Sequence, residues 1–370
     1  MFKKIIFGLL PFMMACSSMQ TRHAMDENQS GQSTLEKSHL EMAEQMLALG
    51  RAEDARNEFH SFQTKFPQST YLQSARLGEA QALENLGNLS EAIAIDRDVY
   101  LKTQKQQPEI AALAMYRMSF AYEALGDDMK TIAALLDAQS LGSSLPVEVS
   151  KAEIPARLAS AYGRVGRDRE AIKYLNEAEK GISEIRETRG NLNQKWLAKT
   201  YVQMGSVSTN QLSLDNFDSA IEGQRLVQVY LIKAMQINDS TWSERALDQA
   251  KSTYQNFYSV MDMPKLDREL QGEMGGSLID LITQAELFKP LAGQTANETE
   301  KDFFSYLKEL RKKTEDILYQ SKETMSLTEE SQKLHSIKRP GKIEEPSQQL
   351  PEKKQPMQIP KVVPTEDPNL

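Results

Sequence analysis

The sequence predicts an all-α fold, a solenoid of about five stacked helical hairpins followed by further C-terminal helices and a disordered tail. Three observations carry that expectation. Ala, Leu, Glu, Gln and Lys dominate the chain, and these residues favour helix. Glycines that follow a helical run recur at Gly50, Gly87, Gly126, Gly166 and Gly205, separated by 37, 39, 40 and 39 residues. The segments around those glycines share one pattern of small and large residues, and a fixed repeat of this length is the signature of stacked supersecondary units.

Residues 1–15 read as an export signal. Lys3 and Lys4 form a positive start, Ile5 to Ala15 an apolar run, and Cys16, the chain's single cysteine, follows at once. Eleven residues are too short to cross a bilayer core of ~30 Å, which needs ~20 residues of helix, but they suit a removable signal. With one thiol, no disulfide can form within the chain. The Met13-Met14-Ala15-Cys16 string resembles the lipobox of bacterial lipoproteins. That resemblance implies that Cys16 is acylated and becomes the mature N-terminus. Ser17, in place of an aspartate, implies sorting to the outer membrane, facing the periplasm. Residues 16–34 are then a polar linker between lipid and first helix.

The repeat domain is expected over residues 35–263. Its first hairpin carries Met42, Ala43, Met46, Gly50, Ala55, Phe59, Phe62 and Pro67; its second Ala80, Leu83, Gly87, Ala92 and Val99. The third has Met118, Ser119, Tyr122, Gly126, Thr131, Leu135 and Ala138, and the fourth Leu158, Ala159, Tyr162, Gly166, Ala171, Leu175 and Ala178. The fifth opens with Leu197, Ala198, Tyr201 and Gly205, then continues after a polar insertion, Ser206 to Leu214, with a long second helix to about Ile237. That insertion is either a contact element or a tolerated loop. Small residues at Ala43, Ala80, Ser119, Ala159 and Ala198 let the first helix of each pair approach its partner. Large residues three and four positions away fill the space between hairpins. Each glycine is expected to end the first helix in a left-handed conformation, and Pro67 to stop a second helix. The pattern over residues 36–240 resembles the tetratricopeptide repeat. The run Phe59, Phe62, Phe66-Pro67, Ser69, Tyr71 and Ala75 resembles repeats of lipoproteins that assemble outer-membrane barrels and of periplasmic cell-division coordinators, with Ser69 or Thr70 as the next helix cap.

Thr241 to Met263 reads as an amphipathic helix (Trp242, Ala246, Ala250, Tyr254, Phe257) that covers the end of the solenoid. Residues 264–325 add two helices, Leu266–Lys289 and Thr299–Met325. The second has an apolar stripe of Phe303, Leu307, Leu310, Thr314, Ile317 and Leu318 opposite Lys308, Arg311, Lys312 and Lys313. Residues 326–370 are expected to be disordered, since residues 338–370 hold seven of the fourteen prolines and nearly balanced charge, a composition with polyproline II character.

The net charge of −8, or −10 without residues 1–15, argues against nucleic acid as a partner, for which a basic footprint is expected. No metal-binding, nucleotide-binding or nucleophile motif occurs, and the four histidines do not cluster, so neither cofactor, metal nor catalytic residue is expected. What remains is a binding surface. In tetratricopeptide repeats the first helices line a groove. By that resemblance Leu40, Glu44, Leu77, Gln81, Glu84, Asn85, Tyr116, Phe120, Glu123, Ser160, Arg164, Lys199 and Gln203 line one here. Tyr116, Phe120 and Glu123 share a stripe, and Glu84 and Arg164 are expected on neighbouring first helices. An aromatic pair rimmed by charge suits a peptide hot spot; packing between hairpins is the other reading of Tyr116 and Phe120. The resulting expectation is a lipid-anchored scaffold for envelope proteins. An accessory pilot lipoprotein of a pilus or secretion machine is the alternative, and a cell-wall enzyme a remote one.

Overall fold

The computed structural model describes residues 27–207, 212–290 and 295–336. Cys16 and its signal, residues 208–211 of the polar insertion, and the proline-rich segment from residue 337 lie outside the described residues. The chain divides into two units, residues 1–322 and 323–370. Of the second, the described part is the end of one helix.

Thirteen α-helices make up the described residues: α1 (Glu27–Ala48), α2 (Ala52–Lys65), α3 (Leu72–Asn85), α4 (Leu89–Thr103), α5 (Pro108–Ala124), α6 (Asp128–Ser140), α7 (Ile154–Arg164), α8 (Asp168–Arg189), α9 (Gln194–Gly205), α10 (Phe217–Ile237), α11 (Trp242–Met261), α12 (Arg268–Glu286) and α13 (Glu298–Ser336). A π-helical turn, Val149–Glu153, leads directly into α7. From α1 to α8 and from α9 to α12 the helices pack on their sequence neighbours, and several also pack one place further on: α1 on α3, α3 on α5, α7 on α9, α9 on α11, and α10 on α12. That double contact makes each pair a hairpin and the row of hairpins a solenoid.

The first four repeat glycines behave as the spacing requires. Gly50, Gly87, Gly126 and Gly166 have φ of +75°, +82°, +73° and +71°. At the third, Gly126 N donates to the Glu123 carbonyl at 3.0 Å and Asp127 N to the Tyr122 carbonyl at 2.9 Å. These two bonds are a Schellman cap, satisfying carbonyls that the helix end leaves open. A Cβ at any of the four would meet nothing within 4 Å, so the reason for glycine is backbone conformation and not space. Gly205 differs. It is the last residue of α9 and is buried, and a Cβ there would lie 2.4 Å from Leu231 Cδ2 on α10. The fifth glycine keeps the spacing but serves a close helix crossing instead of a turn.

Ala43, Ala80, Ser119, Ala159 and Ala198 are all fully buried at 0% exposure, as expected of close helix contacts. Leu40, Phe59, Phe62 and Ala75 belong to a core cluster of the first hairpins, while residues from Ile93 to Leu310 form one larger core. Other expectations shift. α1 starts at Glu27, so part of the presumed linker is helix. Ser69 does not cap α3: its Oγ accepts from Tyr71 N at 3.0 Å and donates to Glu36 Oε2 at 2.7 Å. α11 does not end the stack, because α12 packs on α10 and α11 in the manner of another hairpin. The covering role falls to α13. Its Phe303 meets Tyr254 edge-on at 6.0 Å, and Phe303, Leu307, Leu310 and Thr314 are buried. On its charged side Arg311 donates to Glu286 Oε2 at 2.6 Å, while Lys308, Lys312 and Lys313 stay exposed. The helix reaches Ser336, beyond the boundary expected near residue 325. Among the described residues no helix is long and apolar enough to cross a membrane.

Candidate interaction face

The first helices α3, α5 and α7 carry a ladder of charged side chains set by the repeat. Glu84 and Glu123 each stand three residues before a turn glycine, and Arg117 and Arg157 each stand nine before the next one. In the structure each arginine reaches back one hairpin to the preceding glutamate. Arg117 Nη2 lies 2.7 Å from Glu84 Oε2, and Arg157 Nη2 lies 2.7 Å from Glu123 Oε2. Arg117 also donates to Gln81 Oε1 at 3.0 Å, and Arg157 to Ser119 Oγ. Sequence position alone does not single out these arginines, although their shared offset from the glycines is a signal. The ladder stops where other packing takes over. Gly78 holds the arginine place in α3, with the Phe59 ring 2.3 Å from where its Cβ would be. Gly163 holds the glutamate place in α7, because the Val207 carbonyl oxygen lies 2.0 Å from its Cβ position.

The two rungs differ in charge. Glu123 faces two cations, Arg157 and Arg164, the second at 3.3 Å. Burial pushes its carboxyl up, but the two guanidiniums together hold it below the usual carboxylate value. Glu84 shares Arg117 with a second acid, Asp96. There burial prevails and raises the Glu84 carboxyl against the pull of Arg117 and Arg157.

A third junction rests on Glu153, which closes the π-helical turn. Its Oε2 accepts from Tyr116 Oη at 2.6 Å and from Lys199 Nζ at 3.2 Å, and its Oε1 from Trp196 Nε1 at 2.7 Å. One carboxylate thus ties α5, the start of α7 and α9 together. Burial, then the Glu153 charge, raises the Tyr116 hydroxyl well above the usual tyrosine value. No repeat position points to Glu153, because it belongs to an extra turn that the repeat pattern does not contain.

These contacts sort the expected groove residues. Tyr116 and Glu84 are interior, at 2% and 5% exposure, so the packing reading of Tyr116 holds and neither side chain is a surface contact. Leu40, Leu77 and Ser160 are buried as well. Glu84 and Arg164 are not neighbours either. They sit on α3 and α7 with α5 between, and Arg164 binds Asp128 Oδ1 at 2.7 Å and Ser160 Oγ at 2.9 Å in addition to Glu123. Still reachable are Phe120, Glu123, Arg164, Lys199, Gln203 and Asn85, each half-buried, and Glu44, which is exposed. Phe120 is the centre of this group. It meets Tyr116 edge-on at 5.0 Å, the Arg157 guanidinium lies 3.6 Å from its ring centre, and Lys199 Nζ lies 5.9 Å away. Among the described residues no group of three or more His, Cys, Asp or Glu is placed to hold a metal.

The chain matches no protein-family model and no curated protein. Among solved structures it is similar to a putative kinesin light chain of Podosopora anserina with nearly identical TPR-like repeats, at 16% identity and TM-score 0.42, covering 55% of this chain and 95% of that one. It is also similar to a tetratricopeptide repeat protein of Parabacteroides merdae, at 12% identity and TM-score 0.33, covering 75% and 100%. The TPR2AB domain of yeast Sti1, in complex with pHSP90, matches at 13% identity and TM-score 0.32, covering 79% and 99%. At scores this low the fold assignment rests on the helices of this chain itself, which form an all-α stack of tetratricopeptide-like hairpins.

Proposed function

We propose that this chain is a lipid-anchored helical-repeat scaffold that binds protein or peptide partners in a bacterial envelope, at the periplasmic face of the outer membrane. The observation that carries the binding part is Phe120: a half-buried aromatic ring held edge-on by Tyr116, covered by Arg157 and flanked by Lys199 and Glu123. A rigid ring with charges of both signs at its rim is the kind of anchor on which peptide recognition concentrates. Its supports are locked by ion pairs between hairpins, so little ordering cost would fall on binding. The anchoring part rests on Lys3, Lys4, the apolar run and Cys16. Acyl chains on that sulfur would hold the soluble helices at a membrane, each buried CH2 contributing ~0.8 kcal/mol.

Two experiments test the two parts separately. Affinity capture of wild type against Phe120→Ala plus Lys199→Glu is expected to lose a defined set of partners; an unchanged set would remove the face. Mass and membrane fractionation of Cys16→Ser are expected to show loss of lipid and release from membranes. A variant that kept its membrane association, with a mass differing by the one-atom substitution alone, would remove the anchor. Envelope defects on depletion discriminate roles: failed insertion of barrel proteins supports assembly, and loss of surface appendages supports the pilot alternative.

A further inference from the structure

Between the second and third hairpins lies a buried trio of two carboxyls and one guanidinium. Asp96 of α4 is 0% exposed, Glu84 of α3 is 5% exposed and Arg117 of α5 is 7% exposed. Arg117 spends its short contacts on Glu84 and Gln81, and its Nε stays 3.9 Å from Asp96 Oδ1. Among the described residues, neither Asp96 oxygen has a hydrogen-bond partner, nor has Glu84 Oε1 or Arg117 Nε. Fully ionised, the trio would bury a net negative charge with one carboxylate unbonded, which is among the costliest arrangements in a protein interior.

Among the described residues, Glu84 and Arg117 are the charges that act on Asp96 directly. Asp96 is packed by α3 and α5, whose facing charges are Glu84 and Arg117. On α4 itself, Arg97 donates to Tyr122 Oη and Asp98 pairs with Arg76 and Lys102. Arg157 of α7 acts on the trio through Glu84.

We infer that the Glu84–Asp96–Arg117 trio holds one proton, carried on Asp96, which makes the joint between the second and third hairpins pH-sensitive, tightest in acid and weaker as pH rises. Burial in the first place, then the Glu84 charge, raises the Asp96 carboxyl well above its ordinary value, and Arg117 opposes without cancelling. The sign follows from linkage. The folded state binds a proton that the unfolded chain gives up near pH 4, so stability falls from about pH 4 up to the raised folded value and is level above it. The inference rests on the trio alone and stands apart from lipid anchoring or partner binding.

The test uses the full chain in detergent, in a Glu44→Gln background, because partial desolvation of its carboxyl, although the residue is solvent-exposed, and the neighbouring Glu41 charge also raise Glu44. Infrared spectra at pH 5.5, where an ordinary carboxyl is ionised, are expected to show a protonated-carboxyl band that vanishes on unfolding and is missing in Asp96→Asn. Above about pH 4 the unfolding constant of the parent is expected to climb relative to Asp96→Asn and then level off once Asp96 ionises in the folded state, by at most about tenfold per pH unit for one proton. Parallel pH profiles, or no such band in the folded parent, would overturn the inference. If Asp96→Asn does not fold, the parent's band and its loss on unfolding decide the matter.

Discussion

Replacing Arg157 by Met removes the guanidinium that joins the third and fourth hairpins while keeping an apolar stem of similar reach. Arg157 is 3% exposed, bonds Glu123 at 2.7 Å and covers Phe120 at 3.6 Å. Breaking a buried pair by deleting one partner costs about 3–5 kcal/mol. Glu123 keeps Arg164 and has a side chain 27% exposed, which places the electrostatic loss at the low end. A desolvated cation–ring contact adds about 1–2 kcal/mol, and the Met stem recovers part of it, so the net loss should be about 3–4 kcal/mol. Trp196 reports on this region directly, since it is bonded to Glu153; with Trp242→Phe it becomes the chain's only tryptophan. Denaturant unfolding followed by its fluorescence should show the full loss in Arg157→Met. A double-mutant cycle with Glu123→Gln should give a coupling of about 1–3 kcal/mol. A loss below about 1 kcal/mol, the level of an exposed surface pair, would refute the claim that this rung holds the hairpins together.

The two kinds of glycine should respond differently. Gly126→Ala should cost about 1 kcal/mol through its left-handed backbone, and Gly126→Asn less. Gly205→Ala should cost about 1–3 kcal/mol through overpacking, and Leu231→Ala should relieve part of that penalty while leaving Gly126→Ala unrelieved; thermal melts that show no such difference would contradict the two explanations. For acid stability, Glu123 has a folded value below its unfolded one. Its contribution is therefore present above about pH 4.5 and is lost as pH falls through the lower folded value. Glu123→Gln should flatten the acid limb of the stability profile, and an unchanged limb would count against the lowered value.

Repeat spacing made the fold legible because the turn glycines and the small residues at Ala43, Ala80, Ser119, Ala159 and Ala198 answer to local backbone and contact rules. Gly205 shows the limit of that reading: a glycine needed for a crossing and a glycine needed for a turn are the same letter at the same interval. The face was only partly legible. Phe120, Glu123, Arg164 and Lys199 lie on the helices their repeat positions indicate, but those positions leave Tyr116 open between groove and packing, because its partner Glu153 sits in a π-helical turn outside the repeat. Glu84 was read as rim because its pairing depends on Arg117 of the next hairpin. Position within one helix is visible in a sequence, whereas burial between hairpins depends on what the next repeat supplies.

The most direct test of a scaffold that works through this face is site-specific photo-crosslinking in living cells. A photoreactive residue would be placed in turn at Phe120, Lys199 and Gln203, and as a contrast at Lys173, an exposed residue of α8 whose side chain is 61% open. The first three positions are expected to capture the same partner, and Lys173 is not. Capture of the same proteins from all four positions, or of none from Phe120 and Lys199, would contradict it.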